Sequence, residues 1–206
     1  MTKGITRTET LLGLALACTS GAGLIAATFL AIPLSFTAPF IVLPTAAVLA
    51  GIALRGRGDH ARLHVFARLI LVGAVAGVLA TVAYDVSRPI LRTVLGFTFD
   101  PFRAIHIFGE LITGRPAGDT WAEAAGWTYH FWNGISFGMM FALVRPKGGA
   151  VSGFLWAEFL QVLMMAVYPA FLKARLDDPG FMTLGIVGHG LYGVVLGILV
   201  ARWARA

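Results

Sequence analysis

Cysteine occurs once in the chain, at Cys18, which excludes an intrachain disulfide and any cluster of thiolates around a metal. Charge is scarce as well. Asp, Glu, Lys and Arg make up 13% of the residues against 58% hydrophobic ones, and the mean hydropathy is +0.81. A soluble domain of 206 residues has too little interior to hide that much apolar surface. No HExxH motif is present, so the helical zinc-hydrolase site is absent. No obvious inverted repeat divides the chain, which argues against a secondary transporter.

What the chain has instead is long apolar runs. Stretches of about 20 such residues are the mark of membrane helices, and six are read here: Thr10 to Ile32, Phe36 to Leu54, Val65 to Leu91, Trp121 to Val144, Gly149 to Leu172 and Phe181 to Trp203. The expected fold is an all-α integral membrane protein, a single domain over residues 1–206. It has six transmembrane helices and a short amphipathic outer helix between the third and fourth. Pro39 and Pro44 predict an irregular second span. The apolar character of the first continues past Cys18 to Ile32, so that span is read as uncleaved.

The net charge of +6 does not point to nucleic acid, because the basic residues sit in short loops beside the spans. Lys3, Arg7, Arg55, Arg57, Arg62, Arg145, Lys147, Arg202 and Arg205 collect on one side, and Arg103, Arg115, Lys173 and Arg175 on the other. The richer side is cytoplasmic by the positive-inside rule. This predicts a multi-pass protein of the inner membrane with both termini cytoplasmic. Its surroundings are the lipid bilayer and, where one exists, a membrane or periplasmic partner protein.

Membrane helices associate where small residues let backbones approach. Such residues recur four apart as Gly73 and Gly77, Gly134 and Gly138, Gly149 and Gly153, and Gly193 and Gly197. The last four spans are therefore expected to form the tight core, with the first two peripheral. Polar residues share those faces at steps of three and four. The third span adds Thr81, Asp85 and Arg88; the fourth adds Trp127 and His130, with Asn133 adjoining; the fifth reads Glu158, Gln161 and Tyr168; the sixth adds His189, with Tyr192 beside it.

His130 and His189 both lie about nine residues from the outer ends of their spans, roughly 13 Å at the helical rise, which predicts a shared polar pocket in the outer half of the bilayer. Glu158 is expected to complete it near mid-membrane. Imidazole and carboxylate together suit zinc or iron, so the leading expectation is a metal ion or small polar ligand at His130, Glu158 and His189, with Asp85 or Glu110 as a further ligand and a metal-dependent intramembrane enzyme as one form of it. A second expectation makes His130 and His189 axial ligands of a b-type haem in an electron-transfer subunit. A third is a proton-coupled transporter or accessory subunit. Asn133, Tyr192, Trp127, Gln161 and Tyr168 would surround the site, and Asp85 and Arg88, three apart, would form an intrahelical ion pair.

Between the third and fourth spans, Asp100 and Pro101 are expected to cap a helix that lays Phe99, Phe102, Ile105 and Phe108 into the membrane interface as a lid. His106 and Glu110, four apart on it, have ligand-compatible spacing. "TWAE" reads as a capping box of Thr120 and Glu123. His60 and His64 read as solvated. "AVSG" at Ser152 lacks the first glycine of the rhomboid-protease GxSG motif and lies at the end of its span opposite His189, which excludes that serine–histidine pair.

Overall fold

The computed structural model describes residues 5–55, 61–172 and 175–204; Lys3, Arg57, His60, Lys173 and Arg205 lie outside them, as do the side chains of Arg62 and Tyr168. Among the described residues every regular element is helical. Helices α1 (Arg7–Ala17) and α2 (Thr19–Phe29) meet at Cys18 with a bend of 48°. A four-residue α3 (Leu34–Thr37) runs through a π turn at Ala38–Val42 into α4 (Leu43–Arg55). Pro39 and Pro44 supply no N–H to the ladder there, and the wider turn is the irregularity the prolines predict. Then come α5 (Ala61–Leu95), α6 (Arg103–Thr113), α7 (Thr120–Val144), α8 (Gly149–Leu172) and α9 (Pro179–Trp203).

Among the described residues four helices are long and apolar enough to cross a membrane, or five if the bent α1–α2 pair is one span. Helix α7 has 25 residues but is not among them. Its tryptophans, Tyr129, His130 and Asn133 dilute its apolar character, and its burial explains why it can carry them. Asn133, Gly134, Ser136, Gly138 and Met139 of α7 are all buried.

The glycine stripes meet in pairs. At the α5–α7 crossing a Cβ on Gly77 would stand 2.6 Å from the Gly134 carbonyl oxygen, and one on Gly73 2.6 Å from that of Gly138. At the α8–α9 crossing a Cβ on Gly153 would run into the Gly193 carbonyl, and one on Gly197 would lie 2.8 Å from the Gly149 carbonyl carbon. No side chain fits at these points, so backbones touch directly, which is the contact that holds helices together where lipid offers no hydrophobic contrast. Helix α5 packs against both α7 and α9, and α8 packs chiefly against α9. Helices α7 and α8 therefore face each other without close packing. Phe141, Ala157, Leu196 and Val200 fill the centre of this group. Arg68 of α5 donates to the Trp203 carbonyl at 3.0 Å, placing a cation on the C-terminal end of α9.

A third close crossing was not evident from glycine spacing. A Cβ on Gly109 of α6 would collide with the Ala122 carbonyl, and one on Gly126 of α7 with the Ile105 carbonyl. The expected interfacial lid is thus clamped backbone to backbone on α7. Ile105 and Phe108 are 1% and 2% exposed, Phe102 stacks on Trp127 with centroids 5.4 Å apart, and Phe99 packs on Phe181 at 5.4 Å. These side chains point into the bundle because α7 offers them a packed surface. The start of α6 also differs from expectation: Asp100 closes a turn onto the Phe102 N–H at 2.9 Å, and the helix begins at Arg103. Helix α7 is capped by Asp119, which accepts from Trp121 and Ala122, in place of Thr120. Asp178 caps α9 ahead of Pro179.

Candidate functional site

Beyond the α5–α7 seam the two helices carry their polar residues toward each other. Thr81 sits over Gly134 and turns its hydroxyl back to the Gly77 carbonyl at 2.8 Å. One turn farther, Asp85 becomes the hub. Its Oδ1 accepts from Arg88 Nη2 at 2.7 Å, and both carboxylate oxygens lie 3.0 Å from His130 Nε2. The three side chains are only 8% (Arg88), 10% (Asp85) and 15% (His130) exposed. Each charge that would be costly alone in this setting thus has a partner. Arg88 also donates through Nη1 to the Pro101 carbonyl, which ties the segment entering α6 to α5. Pro89, one residue on, cannot donate to the Asp85 carbonyl.

The expected Asp85–Arg88 pair is present, and it is the anchor of His130. Tyr84 joins them. Its ring lies 3.8 Å beneath the Arg88 guanidinium, 4.8 Å edge-on from His189 and 6.0 Å from His130. Nothing in the sequence reading selected Tyr84, although it lies three residues after Thr81 and four before Arg88 and so shares the polar face. His189 uses Nδ1 toward the Gly185 carbonyl at 2.9 Å, and the Tyr192 hydroxyl donates to the Gly134 carbonyl at 2.7 Å, joining α9 to α7. Trp127 stands edge-on to His130 at 5.9 Å.

These groups line a cavity of about 50 Å³, with Thr81, Tyr84, Arg88, His130, Asn133, His189 and Tyr192 as its polar wall. A second cavity of about 40 Å³ shares Tyr84, Arg88 and His189 and extends toward Phe99, Pro101 and Gln161. At roughly 10–15 Å³ of such space per water, each takes a few waters. Their walls hold buried polar atoms with no partner: Arg88 Nε, Asn133 Oδ1 and Gln161 Oε1. Buried polar atoms are ordinarily satisfied, and these three have no partner among the described residues.

Glu158 is elsewhere. It borders neither cavity; its Oε1 lies 3.3 Å from the position a Cβ on Gly190 would take and has no hydrogen-bond partner. The expected trio of His130, Glu158 and His189 is not gathered, because Glu158 stands against Gly190 of α9 and away from both cavities. Among the described residues no three His, Cys, Asp or Glu side chains are grouped so as to hold a metal ion. The expected His106–Glu110 pair also separates. His106 Nδ1 meets Glu123 at 2.7 Å, with Asp100 3.8 Å from Nε2, while Glu110 accepts from the Ala117 N–H at 2.9 Å in the α6–α7 loop. With Asp119 doing the capping, Glu123 is free to join α7 to α6. The side chain of Tyr168 lies outside the described residues, and His64 is exposed as expected.

Comparison with protein-family models, with curated proteins and with solved structures found no match.

Proposed function

We propose that the protein is a six-span inner-membrane protein that binds a small polar ligand in the outer half of the bundle and exchanges protons with it through His130. In this reading α7 is the sixth span, sheltered by α5 and α6, and α6 lies at the outer side. The Lys/Arg asymmetry supports cytoplasmic termini. Asp85, His130 and His189 each stand ten residues from the same-side ends of α5, α7 and α9, about 15 Å in at the helical rise, so they form one level.

The observation that carries the proposal is the Asp85 carboxylate shared between Arg88 and His130 at the wall of a cavity with unsatisfied polar atoms. A neutral His130 that donates from Nε2 to Asp85 keeps Nδ1 as a free base, and the carboxylate stabilises the imidazolium formed when Nδ1 takes a proton. His189, donating from Nδ1 to Gly185, keeps Nε2 as an acceptor. A zinc or iron ion would have two imidazoles without a third protein ligand, and a haem needs far more room than a cavity of about 50 Å³, so neither is proposed. Phe141 and Leu196, at most 1% exposed, fill the cytoplasmic side of the site, which favours access from outside over passage across.

The test is nitrogen NMR on histidine-labelled protein in lipid nanodiscs. His130 is expected as the Nε2–H tautomer, with its Nε2 proton held by Asp85 and its signals moved when Asp85→Asn removes the carboxylate. A His130 in the Nδ1–H tautomer, or one whose signals ignore Asp85→Asn, would overturn the proposal.

A further inference from the structure

A third cavity, of about 90 Å³, adjoins the polar one and shares Asn133, Phe137, Leu160 and Met164 with it. It lies between α2, α7 and α8, where the last two helices do not pack closely. Its mouth is formed by Gly21 and Ile25 of α2 and Leu163 and Val167 of α8. Ile25 and Leu163 are 46% and 45% exposed, on the surface that meets lipid in the six-span reading. Leu163 stands nine residues from the outer end of α8, about 13 Å deep at the helical rise, close to the level of His130. Asn133 is the one polar side chain among the described residues that line this cleft. It is 9% exposed and its Oδ1 has no partner. An apolar passage thus runs inward from the bilayer and ends on an unsatisfied acceptor at the edge of the acid–base site.

We infer that the ligand of this site is a single-chain amphiphile with an uncharged hydroxyl head, entering laterally between α2 and α8. The inference rests on the cavity being the ligand site proposed above. The mouth offers nothing to a water-soluble molecule and is matched by a hydrocarbon chain. At the inner end stands Asn133 Oδ1, an acceptor with no partner among the described residues. A hydroxyl meets it as a donor without bringing a charge. Charge excludes the commoner lipid heads. A carboxylate has no proton to give the Asn133 Oδ1 acceptor, and an ammonium head would add a buried positive charge when Asp85 is already shared by Arg88 and His130.

Full-length protein in nanodiscs is irradiated with a diazirine-bearing hexadecanol, and adducts are mapped by mass spectrometry. Labelling is expected on residues 21–25 and 160–167, competed by unlabelled hexadecanol but not by palmitate or a hexadecyl ammonium salt. Leu163→Trp, which blocks the mouth from an exposed position, and Asn133→Leu, which removes the acceptor, should each lower it about tenfold with thermal stability retained. Adducts spread over other lipid-facing positions such as Val151 and Val162, labelling indifferent to Leu163→Trp, or equal competition by palmitate would overturn the inference. Adding hexadecanol to the histidine NMR sample separates the two levels. If His130 shows the expected tautomer and response to Asp85→Asn but hexadecanol leaves its signals unmoved, the amphiphile fails and the acid–base site stands; if His130 shows neither, the site itself fails.

Discussion

Half of the most apolar stretch of α5 or α9 is buried, against 17% of that in the continuous helix from Leu34 to Arg55. The contrast follows from side-chain size at the crossings. In α5, α7, α8 and α9, glycine pairs bring backbones into contact and leave polar neighbours such as Asp85 and His130 facing inward. In the N-terminal layer Gly51 meets nothing within 4 Å, α1 and α2 are bent at Cys18, and the π turn interrupts the second apolar run. That layer wraps the core through Ala17, Leu49, Phe66 and Ile70 and leaves space along α7. The site lies where the two regimes meet: a rigid wall of α5, α7 and α9 holds the acid–base groups, and the looser α2 borders the cleft beside them.

Breaking a backbone seam should have the largest effect. Gly153→Leu would force a side chain into the α9 backbone, and we expect a loss of about 4 kcal/mol or more, seen as failure to recover folded protein. Gly51→Leu in the loose layer should leave yield and melting temperature unchanged. Equal damage from both would mean that the two layers do not differ in packing.

How far the sequence was legible follows the same division. Glycine spacing located the close faces of the core, and the polar residues on those faces correctly pointed inward. His130 and His189 were put at one depth, and each stands ten residues from the start of its helix. Their partner was not legible, because periodicity tells which face of a helix is polar and not which helix stands opposite. Glu158 was matched to His130 although it stands against Gly190 of α9, and Asp85 was read as the ion-pair partner of Arg88 and as a further metal ligand, not as the partner of His130. Tyr84 escaped because the step from Thr81 was taken as four, to Asp85, and not as three. Helix α6 was legible as amphipathic. Its clamp was not, since Gly109 and Gly126 form no four-residue pair and their meaning depends on the crossing of two elements.

The next effect in size concerns the polar hub. Asp85→Leu leaves Arg88 buried without a carboxylate and should cost about 3–5 kcal/mol, measured as a shift in denaturant or thermal unfolding in detergent. A shift no larger than that of an exposed α4 substitution such as Leu54→Ala would show that Arg88 does not depend on Asp85. A smaller effect is expected where the two layers are tied by one bond. The Tyr129 hydroxyl donates to the Ser20 carbonyl at 2.6 Å, and Tyr129→Phe should cost about 1 kcal/mol while leaving His130 signals in place. A change at His130 in that variant would mean that the layers are coupled more tightly than their packing implies.

The central claim is that Asp85 of α5 holds His130 of α7, and a double-mutant cycle tests it most directly. Asp85→Asn, His130→Gln and the double variant are compared with the parent protein by reversible unfolding in detergent. Direct contact predicts a coupling free energy of about 1–3 kcal/mol between the two sites. Additive effects, with coupling below about 0.3 kcal/mol, would contradict the contact and the site built on it.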